Sequence, residues 1–207
     1  MTIVHHPSDL TLADWAAGTL DVARALVVSS HLARCPHCRA AVRMVESVGG
    51  ALLEDAPPAE IAPDALDRAL AHLGVPEALP IGPPRTDAET ISGYALGPWR
   101  WLGRGIQWRR VDLPSTDGAR VFMLNAQPGT RLPGHRHTGT EWTCVFQGAF
   151  RHEHGRYGPG DFDEADETVE HHPVVEMGEV CICLVALQGS IRLEGFLGRL
   201  LQPLVRI

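Results

Sequence analysis

The stretch whose reading decides the fold is residues 129–148, GTRLPGHRHTGTEWTCVFQG. His135 and His137 lie two apart, and Glu141 follows four residues later. Side chains alternate along a strand, so the two histidines project to one face. The Thr138-Gly139 turn returns Glu141 to that face. Two imidazoles and a carboxylate aimed at one point form a ligand set for Zn, Fe, Mn or Ni with positions left open.

Gly129 and Gly148 bracket these residues as G-x5-H-x-H-x3-E-x6-G, which is the spacing of a first cupin motif. A second, degenerate motif starts at Gly160-Asp161 and puts His171 at the fourth-ligand position. Asp166, Thr168 and Val175 replace its usual proline, glycine and asparagine. The predicted ligand set is therefore His135, His137, Glu141 and His171. Around it run short apolar alternations separated by Gly, Pro and Asp: RGIQWRRVDL, RVFMLNAQ, EWTCVFQGAF, DFDEA, CICLVAL and IRLEGFL. Such a texture predicts an all-β jelly-roll barrel.

Upstream the texture is helical. Ser8 or Asp9 caps a first helix ending near Gly18. Asp21 opens a second that runs to Cys35. Pro36 suits the first turn of a third, expected to end toward Gly49-Gly50. A fourth carries Leu66, Leu70 and Leu73 on one stripe, a surface for domain docking or for a partner. The chain is thus expected to hold two domains: a small all-α unit over 1–75, a Pro/Gly-rich linker over 76–92, and an all-β cupin over 93–207.

The segment HLARCPHC, residues 31–38, admits two chemistries. Cys35-Pro36-His37-Cys38 alone resembles a thiol-disulfide active site. With His31 one helical turn earlier it supplies three ligands at a helix-helix corner, and zinc wants a fourth, which the His5-His6 pair can provide. A redox site needs a buried strand before the motif and a β-rich continuation. The helical pattern of residues 39–55 opposes that, so zinc is the expectation and His37 should face solvent.

Other polar clusters carry less. His152-Glu153-His154 reads as a solvated hairpin without convergent partners. Cys181 and Cys183 share a face of an apolar strand as buried thiols, and Cys144 reads as core. With 207 residues and a net charge of −7, the chain has no basic cluster for nucleic acid. Its longest purely apolar run, CICLVAL, falls far below the roughly 20 residues of a membrane span. The N-terminus lacks a secretory signal pattern, so the cytoplasm is the expected location. Five cysteines there favour metal binding over a disulfide scaffold.

Taken in order, these features resemble the ChrR family of zinc-dependent anti-sigma factors over essentially the whole chain. The resemblance selects His6 as the fourth ligand beside His31, Cys35 and Cys38. It implies a structural zinc in the helical domain and a divalent metal, expected to be zinc, in the cupin. It also implies that the helical domain, including Leu66, Leu70 and Leu73, binds a group IV (extracytoplasmic-function) sigma factor. Release would follow an oxidative signal, singlet oxygen among the candidates, sensed by the cupin. The competing reading is a metal-dependent cupin enzyme of dioxygenase or isomerase type with an accessory zinc domain.

Overall fold

A computed structural model describes residues 2–73, 90–114 and 118–193 of the chain. Four helices come first: α1 (Asp9–Ala16), α2 (Val22–Arg34), α3 (Pro36–Glu54) and α4 (Ala65–His72). Ser8 caps α1 by accepting from the Thr11 amide, and Asp21 caps α2 by accepting from that of Arg24. Cys35 ends α2 and, in extended backbone, also caps α3, whose first residue is Pro36.

The expected end of α3 at Gly49-Gly50 is corrected. The helix continues to Glu54, and the Asp55 amide still bonds to Ala51. Neither glycine adopts a positive φ. Pro57-Pro58 is what forbids further helix, since proline lacks the N–H and restricts the residue before it. Most of the expected linker, 76–89, lies outside the described residues. At its far end Thr90 is buried and Ile91 packs on the core.

Among the described residues thirteen strands follow: β1 (Ala95–Leu96), β2 (Arg100–Gly103), β3 (Ile106–Asp112), β4 (Ala119–Ala126), β5 (His135–His137), β6 (Glu141–Gln147), β7 (Phe150–His152), β8 (Gly155–Tyr157), β9 (Phe162–Ala165), β10 (Glu170–His171), β11 (Val174–Val175), β12 (Cys181–Gln188) and β13 (Ile191–Leu193). The main antiparallel sheet has the order β1-β3-β4-β12-β6-β9, with β2 also on β3. Two three-stranded sheets, β10-β5-β13 and β11-β7-β8, complete the barrel.

Both faces of the main sheet are buried along its central strands. On β6, Trp142, Cys144 and Phe146 join one apolar cluster, while Val145 joins another inside the barrel. On β12, Leu184 and Ala186 face outward, and Cys181, Cys183, Val185 and Leu187 face inward. The outer cluster is shared with Ala23, Leu26, Val27, Val28 and Leu32 of α2, so the helical unit docks directly on the cupin. Three consecutive apolar residues, 26–28, exceed a single amphipathic stripe. That breadth is what lets α2 bury one side against α1 and α3 and the other against the sheet. Gly160, at φ +90°, permits the close approach: a Cβ there would meet Ile3 at 2.6 Å.

Candidate metal centres

At the helical corner, His6, His31, Cys35 and Cys38 bring four ligand atoms within 4.8 Å of one another. His31 Nε2 lies 3.2 Å from Cys38 Sγ, and His6 Nδ1 lies 3.5 Å from Cys35 Sγ and 3.3 Å from Cys38 Sγ. A tetrahedral zinc with bonds of about 2.0 Å to nitrogen and about 2.3 Å to sulfur sets its ligands roughly 3.3–3.8 Å apart. The spacing therefore fits the ion. Burial lowers the His31 pKa to about 4, keeping the imidazole neutral as a ligand must be. Burial and the adjacent Cys35 push the Cys38 thiol up to about 12. Helices rather than strands flank the motif, against the buried strand and β-rich continuation that a thiol-disulfide site requires. The redox reading fails on that ground.

Of the N-terminal pair, His5 stacks on Tyr157 with ring centroids 4.2 Å apart, which leaves His6 for the corner. His37 is exposed, as expected. One participant had no sequence signal. The Gly160 carbonyl oxygen, in the cupin, accepts from His31 Nδ1 at 2.7 Å and fixes the tautomer that presents Nε2 to the corner. Next to it, Asp161 Oδ1 accepts from the amides of Val4 and His5 at 2.7 and 2.9 Å, holding the segment that delivers His6.

The second centre lies inside the barrel. His135 and His171 are direct partners in the β5–β10 register, and His137 lies on the same side of β5. Glu141 reaches them from the facing main sheet. His171 Nε2 is 3.0 Å from His135 Nε2, 3.3 Å from His137 Nε2 and 4.0 Å from a Glu141 oxygen. An ion with bonds of about 2.1 Å to nitrogen holds ligands roughly 3.0 Å apart at right angles and about 3.4 Å apart at tetrahedral angles. His135 Nδ1 donates to the Pro133 carbonyl at 2.8 Å, so its Nε2 faces its neighbours without a proton. Burial lowers His137 to about 4 and His171 to about 3, while burial and Asp163 raise Glu141 to about 8. Neutral imidazoles nitrogen-to-nitrogen, beside a carboxyl that resists its charge, are the donor set that a divalent cation relieves.

The expectation of a solvated His152-Glu153-His154 hairpin is corrected. The His152 side chain is fully buried, and its Nε2 donates to Asp163 Oδ2 at 3.0 Å. Asp163 in turn lies 4.0 Å from His171 Nδ1. His152, Asp163 and His171 form a third close group that borders the four-residue set and shares its histidine. Sequence reading missed Asp163, although its place beside Phe162 and Glu164 on β9 is an alternation signal. Glu153, outside, accepts from His172 Nδ1 at 2.8 Å, which separates His172 from the buried set. Cys144, Cys181 and Cys183 are buried free thiols, the last two 3.7 Å apart. Leu66, Leu70 and Leu73 are 68%, 53% and 79% exposed, so the stripe on α4 does not dock on the cupin.

The fold and its two side-chain clusters define a zinc-finger helical unit joined to a cupin. Comparison agrees at both ends: residues 11–39 match a zinc-finger family, and residues 89–190 match the ChrR Cupin-like domain. The anti-sigma-E factor ChrR of Cereibacter sphaeroides is 40% identical over 215 residues, covering 100% of both chains. The chain belongs to the ChrR family. In a crystal structure of Rhodobacter sphaeroides SigE in complex with the anti-sigma ChrR, the matching chain is 39% identical. The match has a TM-score of 0.77 and covers 90% of this chain and 100% of that one.

Proposed function

We propose that this chain is an anti-sigma factor, a regulator and not an enzyme, that sequesters a group IV (ECF) sigma factor and frees it on an oxidative signal. The observation that carries the reading is an uncovered apolar surface on the helical unit. Met44, Val48 and Leu52 recur every fourth residue along α3 and are exposed, Met44 by 72%. Leu66 and Leu70 on α4, with Leu73 just after it, form a second exposed apolar stripe, on a helix where no residue is buried. A run of exposed apolar groups of this length marks a protein-binding face. Kinship with a ChrR solved with SigE supports a sigma factor as the occupant.

His6, His31, Cys35 and Cys38 hold a structural zinc that fixes the α2–α3 corner and so the direction of α3. His135, His137, Glu141 and His171 hold a divalent metal, zinc by preference, in the cupin. The bound ion supplies charge that lets Glu141 ionise and three imidazoles stay neutral. Burial of this site beneath the main sheet, whose other face carries α2, gives the cupin a packed route to the helical unit. The helical unit extends to about residue 75 and the cupin from about residue 93, joined by 76–92. The protein works in the cytoplasm, where the sigma factor meets RNA polymerase. Among the described residues no helix is long and apolar enough to cross a membrane.

The test is reconstitution. The full chain, co-expressed with its cognate ECF sigma factor, is expected to co-purify with it and to block its transcription by core RNA polymerase. A full chain carrying both metals that neither binds nor inhibits that sigma factor overturns the reading.

A further inference from the structure

We infer that the cupin interior is a binding site for a long-chain carboxylate, with the hydrocarbon inside the barrel and the headgroup at its mouth. The inference stands apart from the sigma-factor reading, because it concerns what the barrel admits. A cavity of about 800 Å³ opens inside the barrel, within the range of small-molecule sites. Its floor is buried and polar: His135, His171, Glu141 and Asp163. Its walls are apolar, from Phe122, Leu124, Phe150, Val175, Val185 and Trp108. Its exposed lining residues, which form the mouth, include Arg100, Trp101, Arg104 and Arg131.

Charge decides which end of a ligand goes where. Glu141 and Asp163 at the floor balance one divalent ion, so a third negative group gains little there. Three guanidinium groups stand on the exposed part of the lining, whereas the carboxylates of Glu141 and Asp163 are largely shielded from solvent. Arg100 lies 6.0 Å over the Trp108 ring, which places a cation where the apolar wall meets solvent. An anionic headgroup suits the mouth, and an uncharged chain suits the walls and the ion's open side. A compact polar metabolite fits poorly, since the walls give it few hydrogen bonds for the water it sheds. A cationic amphiphile meets three like charges. An apolar tail with a carboxylate is the class that satisfies both ends.

The probe is dodecanoate at concentrations below micelle formation, titrated by calorimetry into the full-length, metal-loaded chain. Saturable one-to-one binding is expected. Octanoate is shorter by four methylenes, and at roughly fourfold per buried methylene it should bind on the order of a hundredfold more weakly. Dodecanol should bind more weakly than dodecanoate, and the paired variant Arg104→Ser/Arg131→Ser, which leaves Arg100, should shrink that difference severalfold while leaving the chain folded, since both residues are exposed. Leu124→Trp, which narrows the wall, should weaken both ligands while metal content is unchanged. No saturable binding of dodecanoate, equal binding of dodecanol to the unaltered chain, or the same affinity for octanoate would each overturn the assignment.

Discussion

His31 Nδ1 donates to the Gly160 carbonyl oxygen across 2.7 Å, a bond from the helical metal corner to the second cupin motif. The residues after Gly160 serve both centres in turn. Asp161 holds the N-terminal segment, Phe162 packs in the outer cluster, and Asp163 borders the barrel histidines. Glu164 again faces the helices, accepting from Thr11 Oγ1 at 2.8 Å and from the Ser8 amide at 3.1 Å. Strand alternation thus sends successive side chains of β9 to opposite centres.

Asp161 is the most consequential of these contacts. Its carboxylate is buried and accepts from three amides, those of Val4, His5 and Gly158. Asp161→Ala leaves those donors without their acceptor and is expected to cost about 3 kcal/mol in chemical denaturation. Because His6 rides on the freed segment, zinc should also pass to a chelator several-fold faster, while the cupin metal stays. Unchanged chelator kinetics would count against this tether.

The two metal sites should empty independently. Cys38→Ser is expected to remove the helical zinc and loosen the α2–α3 corner, with the barrel metal retained. His171→Ala should do the reverse, taking away the residue that touches both His135 and His137. Elemental analysis should read two metals per chain in the unaltered protein and one in each variant. Loss of both metals from His171→Ala would mean that the sites are coupled through folding.

Much of this was legible in the sequence, for physical reasons that differ between elements. The β5 histidines and Glu141 were readable because a period of two and one turn fix their direction locally. His31, Cys35 and Cys38 were readable because one helical turn sets their spacing. Asp163 and His152 were not, because their meeting depends on β7 and β9 converging behind His171. Docking of α2 on the cupin was equally hidden. The run Leu26-Val27-Val28 is wider than one amphipathic stripe because it belongs to a helix buried on two sides. Gly49-Gly50 misled because a helix tolerates glycine at roughly 1 kcal/mol each, whereas a following Pro-Pro is prohibitive.

The metal-free protein should have a pH dependence that metal reverses. His31 and His137 fall from an ordinary 6.5 to about 4 on folding, and His171 to about 3. Between those values the unfolded chain binds more protons, so stability is present above pH 6.5 and is lost as pH falls through the window. Glu141 has the opposite sign, rising from 4.5 to about 8, so its contribution is lost as pH climbs toward 8. Three histidines outweigh one carboxyl below pH 6.5, and Glu141 acts alone above it. Urea denaturation of chelator-treated protein should therefore show stability rising toward pH 6.5 and easing toward pH 8. With metal bound, ionised Glu141 is a ligand, and stability should keep rising over the upper range.

The exposed leucines of α4 separate binding from folding. Leu66 and Leu70 lie one helical turn apart and contribute little to the core, so Leu66→Asp/Leu70→Asp should shift the denaturation midpoint by no more than about 0.5 kcal/mol. Within a partner interface, apolar anchors each contribute on the order of 1–2 kcal/mol. The double variant should then bind the cognate sigma factor about a hundredfold more weakly, with both metals in place. A variant that inhibits transcription as well as the unaltered chain would move the binding face onto Met44, Val48 and Leu52 of α3. Because α2 is covered on one side by the cupin and on the other by α1 and α3, the exposed stripes of α3 and α4 are the apolar helix faces, among the described residues, that stand open to a partner.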